Sequence, residues 1–453
     1  MSLQEKCDGR EFSVLGFGRA GRAAADYLLP HGGRVTVFDE KPLPPEVKEP
    51  FRARGVRFCE GAFPQEFPGE VLVRSPGIRP DIPPILAALA RGAELSSETE
   101  LFFDACPATV IGVTGSDGKT TTTALIAALL GASGKHVFCG GNNGTPLLPH
   151  VEEMTKTDFA VLELSSFQLM TLERAPAVAV ITNISPNHLN WHRDMAEYIA
   201  AKCRIFRGAE RLVTNADCAL TRNIAESAEE AGMPVTLFSL SCNFRDRKKE
   251  RVYPDGDRVV VAGKNELSSF DCRCFRLPGR HNLENLCAAL GAAAPYLSRR
   301  TVPAALSAFR GVPHRLQYAG TVGGVDYYNS SIDTSPSRTA AALSALSCRP
   351  LVIAGGKAKG IPLTPLADAL AGHAKAVFLY GETAGEIAEE LNGRVPATVF
   401  GAFREAFSAA SAAAVPGDTV LLSPGCTAFD QFRDFEERGE VFMQMVAALP
   451  RKG

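Results

Sequence analysis

The chain has 453 residues, of which 45% are hydrophobic and 22% are charged, and its formal net charge at pH 7 is −2. This composition excludes a disordered chain, and because there is no basic excess we expect no binding to nucleic acid. At roughly 150 residues per domain, the length predicts about three domains with substantial cores.

The first predicted elements form a dinucleotide-binding fingerprint. A strand at 12–15 enters the glycine loop GFGRAG at 16–21, a helix follows, and the next strand ends at Asp39. In such a fingerprint the glycines allow a tight turn and the close approach of a diphosphate, and an acid about 20 residues on contacts a ribose. We therefore predict a Rossmann-like half-fold that binds a ribose or a diphosphate.

A third short strand, at 71–73, ends in the loop Ser75-Pro76-Gly77. Ligands of open α/β sheets bind at the carboxyl ends of the strands, so this loop could close over the same crevice. A simple tight turn explains these three residues equally well.

The central segment begins with a strand at Val110 that enters a second glycine loop, Gly115–Thr120, and a helix follows through Leu130. A glycine loop at a helix N-terminus offers free N–H groups and the positive end of the helix dipole to an anion. Lys119 adds a positive charge, and Thr120 adds a hydroxyl that suits Mg²⁺. The loop predicts a site for nucleotide phosphates, although its GxxGKT spacing is shorter than the Walker pattern.

Two apolar runs, at 159–164 and 177–184, predict buried parallel strands that end in polar clusters facing this loop. Glu163 lies at the end of the first strand, where a buried carboxylate requires a cation. We expect Glu163 to bind magnesium together with Thr120, and a structural ion pair is the alternative.

Three further side chains have ordinary interpretations on residue pattern alone. His188 and His192 have i, i+4 spacing, but the segment lacks the glutamate of a zinc protease motif, so a zinc hydrolase is not predicted and each histidine is first interpreted as structural. Lys202 lies on a predicted amphipathic helix and, taken alone, is a surface lysine. Its ammonium would repel a metal ion, so a direct role in metal binding requires a change of charge.

Two helices, predicted at 281–297 and 303–309, end the central segment. Asn282 and Asn285 lie on one face of the first turn, where their amides suit an adenine edge, although helix capping by Asn282 is the simpler interpretation. Arg315, just beyond the next linker, suits a salt bridge between domains and a phosphate contact about equally.

The basic run at 245–251 is predicted as a solvated loop before a hairpin turned by Pro254-Asp255-Gly256. Beyond residue 313 strands and helices alternate again, which predicts another Rossmann-like domain. Within it, Thr334 or Ser335 can cap a helix that begins at Pro336.

The twelve cysteines lie without a CxxC pair, so we expect reduced thiols rather than a zinc or redox site. The N-terminus has no apolar signal core, and no segment approaches the roughly 18 apolar residues of a membrane span. Both observations predict a cytoplasmic protein with no membrane span.

Taken together and in this order, the motifs of all three segments resemble those of the Mur ligases. The matching segments are GxxGKTTT at 115–122, GNNGTP at 141–146, ELSSFQL at 163–169, NISPNH at 183–188, Tyr198-x-x-x-Lys202, GRHNLEN at 279–285, HR at 314–315 and LLSPGCTAFDQF at 421–432. ELSSFQL and SPGCTAFDQF resemble in particular the members that add D-glutamate. Folylpolyglutamate synthases are similar around the phosphate loop but lack these two segments and the N-terminal glycine loop.

The resemblance implies an α/β protein of three domains. They are a Rossmann-like UDP-binding domain at 1–107, a central P-loop-type ATPase domain with a mostly parallel sheet at 108–311, and a Rossmann-like amino-acid-binding domain at 312–453. The implied reaction is an ATP-dependent ligation in peptidoglycan precursor synthesis. The carboxylate of UDP-N-acetylmuramoyl-L-alanine takes the γ-phosphate of ATP, and D-glutamate attacks the resulting acyl phosphate. We expect ATP, two Mg²⁺ sites and a monomeric chain.

The resemblance also assigns roles to single residues. The implied catalytic residues are Lys119, Glu163, His188 and Lys202, and the implied metal ligands are Thr120, Glu163, His188 and Lys202 as a carbamate. The implied ATP contacts are Gly115, Ser116, Asp117, Gly118, Lys119, Thr120, Thr121, Asn282, Asn285 and Arg315. The implied contacts of UDP and muramoyl-alanine are Gly18, Arg19, Asp39, Ser75, Gly77, Asn142, Ser165 and Gln168. The implied D-glutamate contacts are Thr334, Lys359 and the backbone of Phe435.

The chain departs from the family pattern in places that concern charge. Asn187 and Asn190 flank His188 where many relatives have aspartates, which predicts weaker metal binding. The segment NSSIDT at 329–334 loses an aspartate and a lysine that the family uses near ATP, and Asp333 is a partial substitute. Ala428 replaces a serine that helps to bind D-glutamate, so we expect Lys359 to carry more of that recognition. The alternatives are a ligase for another amino acid and a nucleotide switch without ligase activity.

Overall fold

The computed structural model describes residues 7–142, 144–241, 249–263 and 267–450. They form three β-sheets, each accompanied by α-helices, in two compact units. The first unit comprises residues 1–273 and 284–305 and contains two sheets, and the second comprises 274–283 and 306–453 and contains the third. The predicted fold class is confirmed, whereas the domain boundaries at 107 and 311 stay predictions.

The N-terminal sheet has five parallel strands. Its elements are β1 (Glu11–Leu15), α1 (Arg19–Leu28), β2 (Arg34–Asp39), α2 (Pro45–Arg52), β3 (Arg57–Glu60), β4 (Val71–Arg74), α3 (Pro83–Ala90), β5 (Glu94–Ser96) and α4 (Glu98–Ala105). The strand order is β3-β2-β1-β4-β5. Helix α1 packs closely on the loop after β1, because a Cβ at Gly21 would lie 2.1 Å from the carbonyl oxygen of Gly16.

The central sheet has nine strands. Its elements are β6 (Thr109–Thr114), α5 (Lys119–Ala132), β7 (Val137–Gly141), β8 (Phe159–Glu163), α6 (Ser166–Leu169), β9 (Val178–Ile181), α7 (Met195–Cys203), β10 (Arg211–Asn215), α8 (Ala219–Glu230), β11 (Val235–Phe238), β12 (Glu250–Asp255), β13 (Arg258–Ala262), β14 (Leu267–Asp271), α9 (Arg280–Ala293) and α10 (Val302–Ala308). The order is β14-β13-β12-β11-β10-β9-β6-β8-β7, and only β12-β13 and β13-β14 pair antiparallel. Strand β6 therefore lies between β8 and β9, and the polar segments after these strands lie at one edge of the sheet.

The C-terminal sheet has six strands. Its elements are β15 (Gln317–Val322), β16 (Val325–Asn329), α11 (Pro336–Ala345), β17 (Leu351–Gly355), α12 (Thr364–His373), β18 (Ala376–Tyr380), α13 (Ala384–Leu391), β19 (Ala397–Phe400), α14 (Phe403–Ala413), β20 (Thr419–Gly425) and α15 (Phe435–Ala447). The order is β15-β16-β20-β17-β18-β19, antiparallel only between β15 and β16. Ile353 and Leu422, on central strands, are fully buried, as expected where helices cover both faces.

Several predicted elements differ in detail from the structure. Helix α9 ends at Ala293 rather than at 297, because Pro295 lies in a following 3₁₀ turn. The predicted hairpin at 254–256 is confirmed by the pairing of Asp255 with Arg258, whereas 245–248 of the basic run lie outside the described residues. Ser335 occupies the N-cap of α11 without a side-chain hydrogen bond to the helix backbone.

The sequence predicts reduced cysteines and no membrane span. The eleven cysteines within the described ranges are all free. No helix in those ranges combines the length and apolar character that a bilayer crossing requires.

Candidate active site

The phosphate loop, Gly115–Thr120, connects β6 to α5. Gly118 is the N-cap of α5 with a φ of 80°, and a Cβ there would lie 2.2 Å from Oδ1 of Asn285, so glycine is required. Lys119 donates hydrogen bonds of 3.0 Å from its ammonium to the carbonyl oxygens of Gly115 and Ser116. The positive charge that the sequence predicts for a phosphate site therefore lies against the loop itself.

Side chains of the neighbouring segments hold the loop from outside. Ser116 Oγ donates to the carbonyl oxygen of Ser185 at 2.9 Å and lies 2.9 Å from the hydroxyl of Tyr198. The backbone N–H of Asp117 donates to Oδ1 of Asn183 at 3.0 Å. Thr121, in the first turn of α5, is buried. These contacts fix the loop to the polar segment that follows β9.

Thr120 and Glu163 are in direct contact. Thr120 Oγ1 donates to Oε2 of Glu163 at 2.7 Å, and Asn142 Nδ2 donates to Oε1 at 2.8 Å. The register of β6 against β8 pairs Glu163 with Val113, and Glu163 is 3% exposed. A hydroxyl and a carboxylate are the oxygen donors that Mg²⁺ prefers, so this pair fits the cation. In the part of the chain that the structure describes, Glu163 forms no ion pair, which weakens the structural alternative.

Lys202 is not a surface lysine, and that first interpretation of its residue pattern is wrong. It is 1% exposed, and its Nζ donates to the carbonyl oxygen of Gly115 at 2.7 Å and to Oγ1 of Thr114 at 3.4 Å. Nζ also lies 4.7 Å from the ring centroid of Tyr198. Burial, and then the charge of Lys119, lower the pKa of Lys202 to about 7. Near neutral pH a substantial fraction of Lys202 is therefore the neutral amine.

The two predicted histidines have different environments. His188 is exposed, with a φ of 55°, and burial of part of its ring together with the charges of Lys119 and Lys202 lowers its pKa. His192 is buried, its Nε2 lies 2.8 Å from Ser166 Oγ, and its Nδ1 lies 3.4 Å from Glu197. The structural interpretation therefore applies to His192. His188 stays available to a ligand.

Ser165 and Gln168 bond to each other. They form a capping box on α6, in which Ser165 Oγ accepts from the Gln168 N–H at 3.2 Å and Gln168 Oε1 accepts from the Ser165 N–H at 3.0 Å. Gln168 Nε2 donates to Oγ1 of Thr99 at 3.2 Å. Both side chains are buried, so their predicted contact with muramoyl-alanine stays a prediction, and their observed role is to shape this turn.

The N-terminal glycine loop contacts two of the residues predicted around UDP. Ser75 Oγ donates to the carbonyl oxygen of Gly16 at 3.0 Å, so the Ser75-Pro76-Gly77 loop lies against the glycine loop, as the crevice interpretation requires. Asp39 accepts the backbone N–H of Phe17 at 2.8 Å and that of Lys41 at 3.0 Å. One oxygen of the carboxylate therefore fixes the glycine loop, and the other holds the turn that follows β2.

The other predicted UDP contacts are exposed. Gly18 and Arg19 lie at the exposed start of α1, and a Cβ at Gly18 would meet no atom of the described residues within 4 Å. Gly77 is also exposed, and its carbonyl oxygen accepts from Nε1 of Trp191 at 3.0 Å. The backbone of the glycine loop is thus open to a ligand at Gly18.

Arg74 is a buried residue that the sequence analysis missed. Its Nη1 donates to the carbonyl oxygens of Ser75, Pro76 and Ile78 at 3.3, 3.1 and 2.6 Å, and its Nη2 donates to that of Phe167 at 2.8 Å. Burial lowers its pKa to about 10. One guanidinium thus ties the Ser75 loop to α6. A charged residue ending an otherwise apolar strand was the available signal.

Arg79 links the same loop to the segment that carries the histidines. It donates to Asp81 at 2.8 Å and to Glu197 at 2.9 Å, and its guanidinium lies 5.0 Å from the Trp191 ring centroid. Hydrogen bonds from Arg79 lower the pKa of Asp81 and of Glu197 to about 2. Both carboxylates are therefore ionised at neutral pH and hold the loop in place.

Helix α9 brings Asn285 to the phosphate loop but uses Asn282 differently. Thr122 Oγ1 donates to Oδ1 of Asn285 at 3.3 Å. Asn282 Nδ2 donates to the carbonyl oxygen of Pro278 at 2.6 Å from inside the helix, so the capping interpretation of Asn282 is wrong. Arg315, in the second unit, is exposed. Adenine and phosphate contacts of these residues stay predictions.

Two of the residues predicted to bind D-glutamate are in direct contact in the second unit. Lys359 Nζ donates to Oγ1 of Thr334 at 2.9 Å, and Phe435 begins α15, where its carbonyl oxygen accepts from Ser331 Oγ at 2.8 Å. Arg438, which the sequence analysis missed, is fully buried on the same helix. It donates to Ser331, to the Tyr380 hydroxyl, and to the carbonyl oxygens of residues 426 and 427. Arg438 thereby joins the 329–334 segment to the end of β20.

Asp333 lies beneath that segment. It is 5% exposed, and its Oδ2 accepts from Ser423 Oγ at 2.8 Å. Burial raises the pKa of Asp333 to about 6, and the charges of Arg338 and Arg315 oppose this shift. Asp333 is thus engaged inside the unit, and its role as a partial substitute for the missing aspartate stays a prediction.

Comparison with protein families gives three matches along the chain. Residues 10–97 match the Mur ligase MurD-like N-terminal domain, residues 113–293 the Mur ligase middle domain, and residues 314–426 the Mur ligase glutamate ligase domain. A UDP-N-acetylmuramoylalanine–D-glutamate ligase of Symbiobacterium thermophilum is 41% identical over 99% of both chains. One from Ruminiclostridium cellulolyticum is 39% identical over 97% of both.

Solved structures share the fold at low identity. UDP-N-acetylmuramate-alanine ligase MurC from Thermotoga maritima is 18% identical, with a TM-score of 0.55 over 97% of this chain and 99% of that one. FolC of E. coli, solved with DHPP and ADP, is also 18% identical, with a TM-score of 0.52 over 77% and 92% of the two chains.

Proposed function

This chain belongs to the Mur ligase family and is an ATP-dependent ligase that forms amide bonds, and on that premise we propose that it joins D-glutamate to UDP-N-acetylmuramoyl-L-alanine in peptidoglycan precursor synthesis. Relatives named for this activity align with nearly the whole chain, which supports this choice of substrates. We further propose a cytoplasmic monomer.

The observation that carries the proposal is the burial of Lys202 against Gly115. A protein that only binds and hydrolyses a nucleotide has no need of a buried amine at its phosphate loop. A ligase that activates a carboxylate brings two anions together and therefore needs several positive or metal-binding groups at this place.

We infer that Lys202 is used as a carbamate. Its neutral Nζ attacks the carbon of CO₂, a C–N bond forms, one C=O electron pair moves to oxygen, and the nitrogen releases a proton. The product is an anion with two oxygen atoms, which removes the repulsion between an ammonium and a metal ion. Thr120 and Glu163 would hold magnesium, with His188 and the Lys202 carbamate completing two sites, and the metal would neutralise charge between the carboxylate and the γ-phosphate.

The other groups of the chain bind and orient the substrates. The loop amides and Lys119 would hold the phosphates of ATP, and the open backbone at Gly18 would admit the UDP moiety. Thr334, Lys359 and the N–H of Phe435 would hold D-glutamate. The amine of D-glutamate then attacks the carbonyl carbon of the acyl phosphate, so that the C–N bond of the amide forms, the C–O bond to phosphate breaks and the nitrogen releases a proton.

An amino-acid panel tests this function. The purified protein is incubated with ATP, Mg²⁺, UDP-N-acetylmuramoyl-L-alanine and one amino acid at a time, and the products are identified by mass spectrometry. We expect the D-glutamyl product and stoichiometric ADP and phosphate. A different adduct would identify another ligase, and ATP hydrolysis that requires neither the amino acid nor the UDP substrate would identify a nucleotide switch.

A further inference from the structure

Two cationic side chains flank one short turn of the second unit. Lys359 Nζ donates to Thr334 Oγ1 at 2.9 Å, and Arg338 Nη1 donates to the carbonyl oxygen of Ile332 at 2.9 Å. The same carbonyl oxygen accepts the backbone N–H of Thr334 at 2.8 Å. Lys359 is therefore bonded to Thr334 and Arg338 to Ile332, and these two residues of the 332–334 turn are separated by Asp333 alone.

Neither cation is in direct contact with a carboxylate of the described residues. Within the described residues, Lys359 and Arg338 form no ion pair, and both side chains are exposed. The carboxylate of the turn itself, Asp333, is buried and accepts a hydrogen bond from Ser423 instead. Two positively charged side chains bonded to this turn are thus exposed to solvent, whereas the carboxylate of the turn, Asp333, is buried.

Ala428 and Ile332 offer no polar side chain to a dicarboxylate ligand. Ala428 is 2% exposed and apolar, and Ile332 carries no charge, so neither can bind a carboxylate. Lys359 is a compact charge that suits one carboxylate, whereas a guanidinium can hold another through two parallel hydrogen bonds. Arg338 has such donors because, among the described residues, its guanidinium bonds only through Nη1, to Ile332.

We propose that Arg338 is the second cation of the amino-acid site and binds one carboxylate of D-glutamate while Lys359 binds the other. The proposal rests on the function proposed above and deepens it, since it makes the site selective for an amino acid with two carboxylates. Arg338 is a binding residue in this scheme and takes no part in phosphate transfer.

Steady-state kinetics of Arg338→Gln test the assignment. Glutamine keeps a donor for Ile332 but loses the charge, so we expect the KM for D-glutamate to rise about 10- to 100-fold. The KM values for ATP and for the UDP substrate should stay within about twofold. Arg338→Lys should recover part of the affinity. Arg349→Gln is the matched control, because Arg349 is also exposed in this unit and donates to backbone carbonyl oxygens, of Ala371 and Gly372.

Two amides of the substrate identify the carboxylate concerned. D-glutamine lacks the side-chain carboxylate and D-isoglutamine lacks the α-carboxylate. The analogue that lacks the partner of Arg338 should bind wild type and Arg338→Gln equally, whereas the other should still be sensitive to the substitution. Sensitivity of both analogues equal to that of D-glutamate contradicts the assignment.

Failure of this inference and failure of the proposed function are distinguishable. A wild-type protein that makes no D-glutamyl product overturns both. A wild-type product together with an unchanged D-glutamate KM in Arg338→Gln, or a change confined to the ATP KM, overturns the assignment of Arg338 alone. Thermal unfolding of each variant shows that the measured changes come from folded protein.

Discussion

Lys202 Nζ lies 2.7 Å from the carbonyl oxygen of Gly115, so a lysine of α7 is packed against the first residue of the phosphate loop. The two residues are 87 positions apart in sequence. Tyr198, one helical turn before Lys202, contacts the amine of Lys202 through its ring and the phosphate loop through its hydroxyl, which lies 2.9 Å from Ser116 Oγ. The Tyr-x-x-x-Lys spacing is thereby explained, because residues four apart lie on the same face of a helix.

Replacement of Lys202 tests the carbamate directly. We expect Lys202→Ala to lower kcat at least about 100-fold, within the range that a positioned catalytic group contributes, and a small carboxylic acid such as acetate to restore part of it by supplying the missing oxygens. Lys202→Arg is the control, because it retains a cation, cannot be carbamylated, and leaves no space for the acid. Carbon-13 NMR of active wild-type enzyme in labelled CO₂ should show the carbamate carbon. An active enzyme that shows no carbamate carbon in this spectrum contradicts the carbamate.

Glu163→Gln tests the predicted magnesium site. Glutamine retains an oxygen acceptor for Thr120 but removes the charge, so the Mg²⁺ concentration for half-maximal activity should rise at least about 10-fold. Asp158→Asn is the matched control. Asp158 is also buried and lies just before β8, at the opposite end of that strand, where it accepts from Thr155. Equal Mg²⁺ dependence in Glu163→Gln and wild type would remove Glu163 from the site.

Features that depend on neighbouring residues were predictable from the sequence, whereas contacts between distant segments were not. The ends of strands, the glycine loops and the residues that follow them were predictable, because spacing along the chain determines which residues share a sheet edge. Thr120 and Glu163 were placed together on this basis. The burial of Lys202 was not predictable from residue pattern, because the groups that enclose it come from distant segments.

Contacts that satisfy polar groups were equally hard to predict. Asp39 has the position of a ribose-binding acid, but its oxygens accept two backbone N–H groups of this chain. Arg74 is bonded to a carbonyl oxygen 93 residues away, and no local pattern encodes that partner. A buried polar group needs a partner, and only the tertiary fold decides whether the partner is a ligand or the protein.

The two glycines at the start of α1 should respond differently to substitution. Gly21→Ala introduces a Cβ 2.1 Å from a backbone oxygen, so we expect a loss of about 1–3 kcal/mol in the free energy of unfolding. The Cβ of Gly18→Ala meets no atom within 4 Å in the described part of the chain, so the substitution should leave stability nearly unchanged while raising the KM for the UDP substrate. Urea unfolding and substrate kinetics of both variants check this. Comparable stability losses in the two would contradict the packing argument.

Arg438→Met should destabilise the second unit selectively. The substitution leaves several buried carbonyl and hydroxyl oxygens without a donor, at a cost of about 3 kcal/mol or more. The single tryptophan, Trp191, lies in the first unit, so its fluorescence reports that unit while circular dichroism reports both. We expect part of the dichroism to be lost at lower urea concentration with the Trp191 transition unmoved. A single shifted transition in both signals would show that the units unfold together.

The titration of Asp333 predicts a dependence of stability on pH. Its pKa is about 6 in the folded chain, raised by burial from 3.8, so the folded state retains a proton that the unfolded state releases between these values. The contribution of protonated Asp333 to the free energy of unfolding is therefore fully present below about pH 4 and is lost as the pH rises through 6, with a total of about 3 kcal/mol.

Asp333→Asn removes this dependence and keeps an acceptor for Ser423. The free energy of unfolding of the variant minus that of wild type should increase between pH 4 and 7. The same difference for Asp368→Asn, a solvent-exposed carboxylate of this unit, serves as the control. A difference for Asp333→Asn that is flat across this range would show that Asp333 is ionised in the folded chain throughout.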